Sequence, residues 1–267
     1  MNPVIKIENL SKRFGGIVVA DGIDLEIHAG EILGLIGPNG AGKSSLFNLI
    51  SGVYPCDSGQ ISLMGKSLEG QSIVSRAQNG ISRTWQHMRL FASMSVLNNL
   101  VVASRFYEAE NLGTLFFQSK KLKSLQFEKV DRAMNILEDI GLGALSNSPI
   151  SDLTFGQQKL IGLARALMNN GPCLLLDEPM AGVEGQSYET IKNIVRREAQ
   201  LGRAICVVEH NISFVKDLCN SAVFMFAGKL LERGSVEELL SSETLESLYF
   251  GGQKSSAYVS NEGVSAC

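Results

Sequence analysis

A chain of 267 residues, 45% hydrophobic and 19% charged, has a globular balance and can bury a sizeable core as one large domain or two small ones. A formal net charge of -3 gives no electrostatic case for nonspecific nucleic-acid binding. No run approaches the about 20 apolar residues of a membrane-spanning helix. The start, MNPVIKIENL, also lacks the basic and apolar regions of a signal peptide, so a cytoplasmic protein is expected.

Residues 4–10 and 17–27 alternate apolar and polar positions, as half-buried strands of an antiparallel sheet do. The pattern then changes. Ile32, Leu33, Gly34, Leu35 and Ile36 form a continuous apolar run, expected of a strand buried on both faces. It leads into Gly37-Pro38-Asn39-Gly40-Ala41-Gly42-Lys43-Ser44, which has the spacing G-x-x-x-x-G-K-[ST]. Glycines let a backbone wrap an anion, and the loop N–H groups and the following helix N-terminus then face phosphates. Lys43 can supply a mobile cation to the phosphates and Ser44 a hydroxyl to Mg2+, with Ser45 beside them at the helix start. That helix is predicted from Lys43 to about Ile50, with Gly52 placed to end it.

Helical periodicity dominates the middle third, at residues 96–103, 129–140 and 157–168. In the last of these, Leu160, Ala164, Leu167 and Met168 share a face, and Asn169-Asn170-Gly171-Pro172 stops the helix. This third, roughly residues 87–165, is predicted to be a helical subdomain inserted in an α/β core. Apolar runs at 173–176 and 205–208 read as further buried strands of a mostly parallel sheet. The first of them ends in Asp177-Glu178, where one carboxylate suits Mg2+ and its neighbour can orient and polarise a water molecule. Residues 223–226 and 229–231, joined through Ala227-Gly228, suggest a hairpin. Ser235 with Glu238 forms a capping box opening a last helix. After Gly251-Gly252 the polar tail, residues 251–267, is expected to be disordered. Five scattered cysteines (Cys56, Cys173, Cys206, Cys219 and Cys267) with no CxxC pair exclude a disulfide framework or zinc site.

Taken in this order, and to about residue 250, these elements resemble the ATP-binding cassette (ABC) ATPase family. The resemblance implies an α/β P-loop NTPase core with an N-terminal antiparallel β-subdomain and an inserted α-helical subdomain. It implies ATP and Mg2+ as cofactors and hydrolysis coupled to transport. It also assigns roles. Phe14 is the candidate for stacking on adenine. Gln86, in Arg83-Thr84-Trp85-Gln86-His87, joins the core to the helical subdomain and senses Mg2+ and the γ-phosphate. His210, in Val208-Glu209-His210-Asn211, contacts the γ-phosphate. The signature motif, usually LSGGQ, stands as Leu153-Thr154-Phe155-Gly156-Gln157. Thr154 keeps a hydroxyl that can donate to phosphate, Phe155 replaces the first glycine, and Gly156 still allows a close backbone approach. In the family, Thr154, Gly156 and Gln157 would act on ATP held by a second subunit, identical or paralogous, in a head-to-tail dimer. Ala181-Gly182-Val183-Glu184 resembles the loop that crosses this interface, with Glu184 where aspartate is usual.

The stretch Ser82-Arg83-Thr84-Trp85-Gln86-His87-Met88-Arg89-Leu90-Phe91 looks like that of ATPases of branched-chain amino acid transporters. So do Glu178-Pro179-Met180-Ala181-Gly182-Val183, Leu248-Tyr249-Phe250-Gly251, the aromatic at 155 and an insertion over residues 112–127. The implied function is uptake of branched-chain amino acids or related small solutes, with transmembrane permease subunits as partners. The protein would then sit peripherally on the inner face of the cell membrane. The ATPase of lipopolysaccharide export shares much of this pattern. An ABC-type ATPase acting on DNA would carry a long coiled coil, and one acting on the ribosome a second cassette; neither is present in the sequence. A P-loop kinase or switch GTPase would lack the signature, Gln86 and His210.

Overall fold

The computed structural model describes residues 2–86, 88–104 and 119–241. Its first sheet is antiparallel, in the order β2-β1-β4-β5. The alternating segments are β1 (Ile5–Phe14) and β2 (Ile17–Ile27), paired from Ile5↔Ile27 to Phe14↔Ile17. β4 (Ser58–Leu63) and the two-residue β5 (Lys66–Ser67) complete it. The second sheet runs β10-β9-β3-β8-β7-β6. Its members are β3 (Ile32–Ile36), β6 (Ile81–Arg83), β7 (Cys173–Asp177), β8 (Ala204–Val208), β9 (Ser221–Phe226) and β10 (Lys229–Gly234). All neighbours are parallel except the β9–β10 hairpin, whose Ala227 and Gly228 both have positive φ as a tight two-residue turn requires. Every residue of β3, β7 and β8 is buried, which explains their unbroken apolar runs.

Alternate residues of these strands feed two different cores. Leu33, Leu35, Cys173, Leu175, Cys206 and Val208 pack with the antiparallel sheet and with α1 (Lys43–Ser51). Ile32, Leu174, Leu176, Ile205 and Val207 pack with helices on the opposite face. Those helices include α3 (Val96–Val101), α4 (Ser119–Asp139), α5 (Phe155–Leu167) and α6 (Gln186–Gln200). The short helices α2 (Ile73–Asn79), α7 (Ile212–Leu218) and α8 (Val236–Leu240) complete the described set. Burial pushes the Cys173 thiol up to about 12, so it behaves as a small hydrophobe.

The predicted helices exist, with shifted ends. α4 begins at Ser119 rather than 129. α5 begins at Phe155 rather than 157, because Thr154 caps it and forms a capping box with Gln157. Residues 112–118 of the expected insertion, the segment 248–251 and the tail 251–267 lie outside the described residues. β3, β8 and β7 are adjacent, so the segments leaving their C-terminal ends meet along one edge of the sheet.

Candidate functional site

The phosphate-type loop leaves the end of β3 and enters α1. Its shape is set by walls as much as by glycine freedom. Gly42, with φ 109, lies against the Val19 carbonyl of β2, and a side chain at Gly37 would meet the Met225 carbonyl of β9. The Ala41 carbonyl accepts from Gly228 N at 2.9 Å. Pro38 is half-buried, and Asn39 and Gly40 are exposed at the loop tip. The Lys43 ammonium turns into the loop and donates to the carbonyls of Gly37 (2.7 Å) and Pro38 (2.9 Å). Burial pulls the Lys43 pKa down, while Glu178 and Asp177 oppose that shift. Ser44 is exposed and Ser45 half-exposed on the first turn of α1.

Asp177, 4% exposed, closes β7. Its Oδ2 accepts from Arg83 Nη2 at 2.9 Å, while Oδ1 is buried with no hydrogen-bond partner. An orphaned buried carboxylate oxygen beside a serine-bearing phosphate loop is the donor set expected for Mg2+, held directly or through water. Glu178 follows with φ 47, a left-handed conformation that costs a non-glycine residue on the order of 1 kcal/mol. Three contacts hold that backbone: Glu178 N donates to the Val208 carbonyl, and the Glu178 carbonyl accepts from Ala181 N and Lys159 Nζ. The strained turn places the Glu178 carboxylate between Gln86 Nε2, 3.1 Å from Oε2, and His210 Nε2, 3.0 Å from Oε1. A carboxylate flanked by a histidine and an amide at a loop built for anions can orient and deprotonate water beside a bound phosphate.

Phe14, 41% exposed, stands edge-on to Tyr54 with ring centroids 5.1 Å apart. Two exposed rings so placed can take a planar heterocycle; Tyr54 was not singled out in the sequence because it lies in no motif. Thr154 caps α5: its Oγ1 accepts from Gln157 N, and Gln157 Oε1 accepts from Thr154 N. The threonine hydroxyl therefore keeps its proton to donate. Gly156 also packs closely inside the chain, since a Cβ there would lie 2.8 Å from Ser187 Oγ of α6 and the serine side chain would have to turn away. The Phe155 ring covers Gly182, where a Cβ would come within 2.9 Å of its Cε1. Phe155 thus packs the Ala181–Glu184 segment from outside, half-exposed, and takes no hydrogen bond from Thr154 or Gln157. Phe155→Gly is expected to change the ATPase rate by no more than about an order of magnitude, about 1.4 kcal/mol in barrier. A far larger gain in steady-state turnover would mean that the aromatic had made this motif a degenerate one.

Sequence reasoning placed Arg83 and Thr84 only in a docking surface running from Arg83 to Phe91, and assigned no role to Lys159 or Glu209. Thr84 Oγ1 accepts from Asp177 N, and buried Glu209 accepts from Met180 N, its pKa raised by burial. Beside these residues opens a groove of ≈ 560 Å³, lined by Arg83, Trp85, Met88, Arg89, Phe91 and Lys159 among others.

Comparison with known proteins bears on the family and the fold. Residues 20–181 match the family model described as ABC transporter. The chain is 32% identical over 250 residues to the high-affinity branched-chain amino acid transport ATP-binding protein LivG of Escherichia coli, covering 93% of this chain and 98% of that protein. It is 28% identical over 250 residues to the corresponding protein BraF of Pseudomonas aeruginosa, with the same shares of each chain covered. Among solved structures, a nucleotide-free ATP-binding cassette from an ABC transporter superposes with TM-score 0.81 at 29% identity, over 92% of this chain and 98% of that one. A cassette of an ABC transporter in its ADP conformation gives TM-score 0.80 at 29% identity, over 94% and 100%.

Proposed function

The chain belongs to the ABC transporter family and is an ATP-binding, ATP-hydrolysing subunit of that kind; from this premise we propose that it drives the uptake of branched-chain amino acids through a separate permease. The observation that carries the hydrolytic part is Glu178, held at 3.0 Å from His210 and 3.1 Å from Gln86 at the edge of the phosphate loop. The solute assignment rests on LivG and BraF, whose names state branched-chain amino acid transport.

In this reading residues 1–250 are one ATPase unit, with the helices between β6 and β7 as its inserted subdomain. The backbone N–H groups of residues 37–44 and the Lys43 ammonium bind the β- and γ-phosphates, and Phe14 takes the adenine. Ser44 and Asp177, with Gln86, hold Mg2+, which when bound neutralises phosphate charge. Glu178 accepts the proton of the attacking water, His210 steadies the γ-phosphate side, and Gln86 keeps the carboxylate aligned. Thr154, Gly156 and Gln157 present a capped helix N-terminus to the ATP of a second subunit, identical or paralogous. Closure of that dimer and its reopening after hydrolysis would be the motion the permease reads.

No helix among the described residues is long and apolar enough to cross a membrane. In this reading the solute path belongs to the permease, and this chain sits peripherally on the inner face of the membrane. The permease docks in the groove beside Trp85 and Arg89. Arg89→Glu, which reverses a charge on an exposed groove residue, is expected to uncouple transport while leaving ATP affinity unchanged. The measurement is ATP hydrolysis together with leucine, isoleucine and valine uptake in vesicles reconstituted with the permease. Normal uptake by the variant would remove this docking surface. Wild-type protein that binds its permease but moves none of the three solutes would end the branched-chain assignment and leave the ATPase in place.

A further inference from the structure

Residues 83–86 reach both carboxylates that matter to the proposed chemistry. Arg83 pairs with Asp177 Oδ2 at 2.9 Å, Thr84 Oγ1 accepts from Asp177 N at 3.1 Å, and Gln86 Nε2 donates to Glu178 Oε2 at 3.1 Å. Trp85, in their midst, lines the groove. The Arg83 side chain, 6% exposed, holds more than Asp177. Its Nη1 donates to Asn48 Oδ1 (2.8 Å) and Ser51 Oγ (3.0 Å), both on α1, the helix that Lys43 opens. Its guanidinium carbon lies 4.4 Å from the centroid of the Trp85 ring, and that of Arg89 lies 4.6 Å from the same ring.

We infer that Arg83 is a positioning residue that sets the Asp177 carboxylate for metal binding and ties that setting to the groove through Trp85. The inference rests on the reading of Asp177 as a Mg2+-binding residue. One carboxylate oxygen is pinned by the guanidinium, so the other, Oδ1, is presented in a single orientation. A planar fork can serve Asn48, Ser51 and Asp177 together because its donors diverge at fixed angles. A lysine ammonium keeps the charge but not the fork. Arg83 stacks on Trp85 while bonded to Asp177, so a shift of the carboxylate is felt at the ring, and a shift of the ring at the carboxylate.

The chain has a single tryptophan, so its tryptophan emission reports Trp85 alone. The test uses the full chain. ATP affinity is measured by calorimetry in EDTA and in Mg2+, and Trp85 emission is followed as Mg2+ is added to ATP-saturated protein. Arg83→Lys is expected to leave affinity in EDTA within about threefold. It should raise the Mg2+ concentration at half-change by about tenfold or more, the loss of one charge-assisted hydrogen bond, and reduce the amplitude of the emission change. Asn48→Ala, which keeps the Asp177 pair but loosens the α1 anchor, should shift the Mg2+ requirement less and in the same direction; if Arg83→Lys does not fold, this variant decides. A wild-type Mg2+ requirement and emission in Arg83→Lys would show that charge alone suffices and overturn the inference. Equal weakening in EDTA and Mg2+ would make Arg83 a packing residue and overturn it too. Asp177→Asn is the control: if it leaves the Mg2+ requirement unchanged, the metal reading of Asp177 fails and the Arg83 inference falls with it.

Discussion

Glu178→Gln is expected to slow ATP hydrolysis by about 10²-fold or more while leaving ATP binding intact, the usual contribution of a positioned general base. The substitution suits the site sterically. Gln86 donates to one oxygen of Glu178 and His210 lies against the other. An amide can keep both contacts if its oxygen faces Gln86 and its NH2 faces an unprotonated His210 Nε2. Lost turnover would therefore report the missing proton acceptor and not a collapsed pocket. The left-handed backbone at 178 is held by the Val208 carbonyl, Ala181 N and Lys159, none of which depends on the carboxylate. With the opening step blocked, the variant should accumulate as an ATP-bound dimer on size exclusion. Near-normal steady-state turnover would remove Glu178 from its assigned place.

Lys43→Ala is expected to weaken ATP binding by about 10²-fold or more, the size of one or two charge-assisted hydrogen bonds at about 1.5–3 kcal/mol each. Lys43 is only 6% exposed and its ammonium already sits inside the loop against two carbonyls, so little reorganisation separates it from a phosphate oxygen. Alanine removes the charge and leaves the Gly37 and Pro38 carbonyls facing the anion. Calorimetry with ATP is the direct measure, and unchanged affinity would take Lys43 out of the site.

The parts of this fold legible in the sequence are those where one structural period or one motif dominates. β3, β7 and β8 could be read because burial on both faces leaves no polar position in them before Asp177 closes β7. The region from 55 to 80 gave no such signal. β4 exposes its first three residues, and α2 is seven residues long with Ile73 and Val74 turned outward. α4 starts ten residues before its apolar stripe becomes clear, because its opening SKKLKS is polar. The loop from Gly37 to Ser44 and the Asp177-Glu178 pair were readable as chemistry, since residue type and spacing carry it. Arg83 and Thr84 were read only as part of a docking stretch and not as partners of Asp177, because that residue lies over ninety positions downstream. Gly156 illustrates the opposite limit: a family pattern explains its presence by phosphate, and nothing in the sequence signals its close approach to the Ser187 side chain.

The wedging of the phosphate loop between Val19, Met225 and Gly228 also bears on how the protein is made. The loop's own eight residues leave the ribosome early, but the carbonyl against Gly37 and the N–H that meets Ala41 belong to the β9–β10 hairpin near the end of the described chain. At about 5–20 residues per second, that hairpin emerges on the order of ten seconds or more after the loop. Until it docks beside β3, the cradle lacks one wall, and contacts of such sequence separation close slowly. Nucleotide then binds the finished structure and not its precursors, so cellular ATP favours the completed chain by mass action. A short motif thus acquires its function only when a hairpin far downstream of it has been translated and docked.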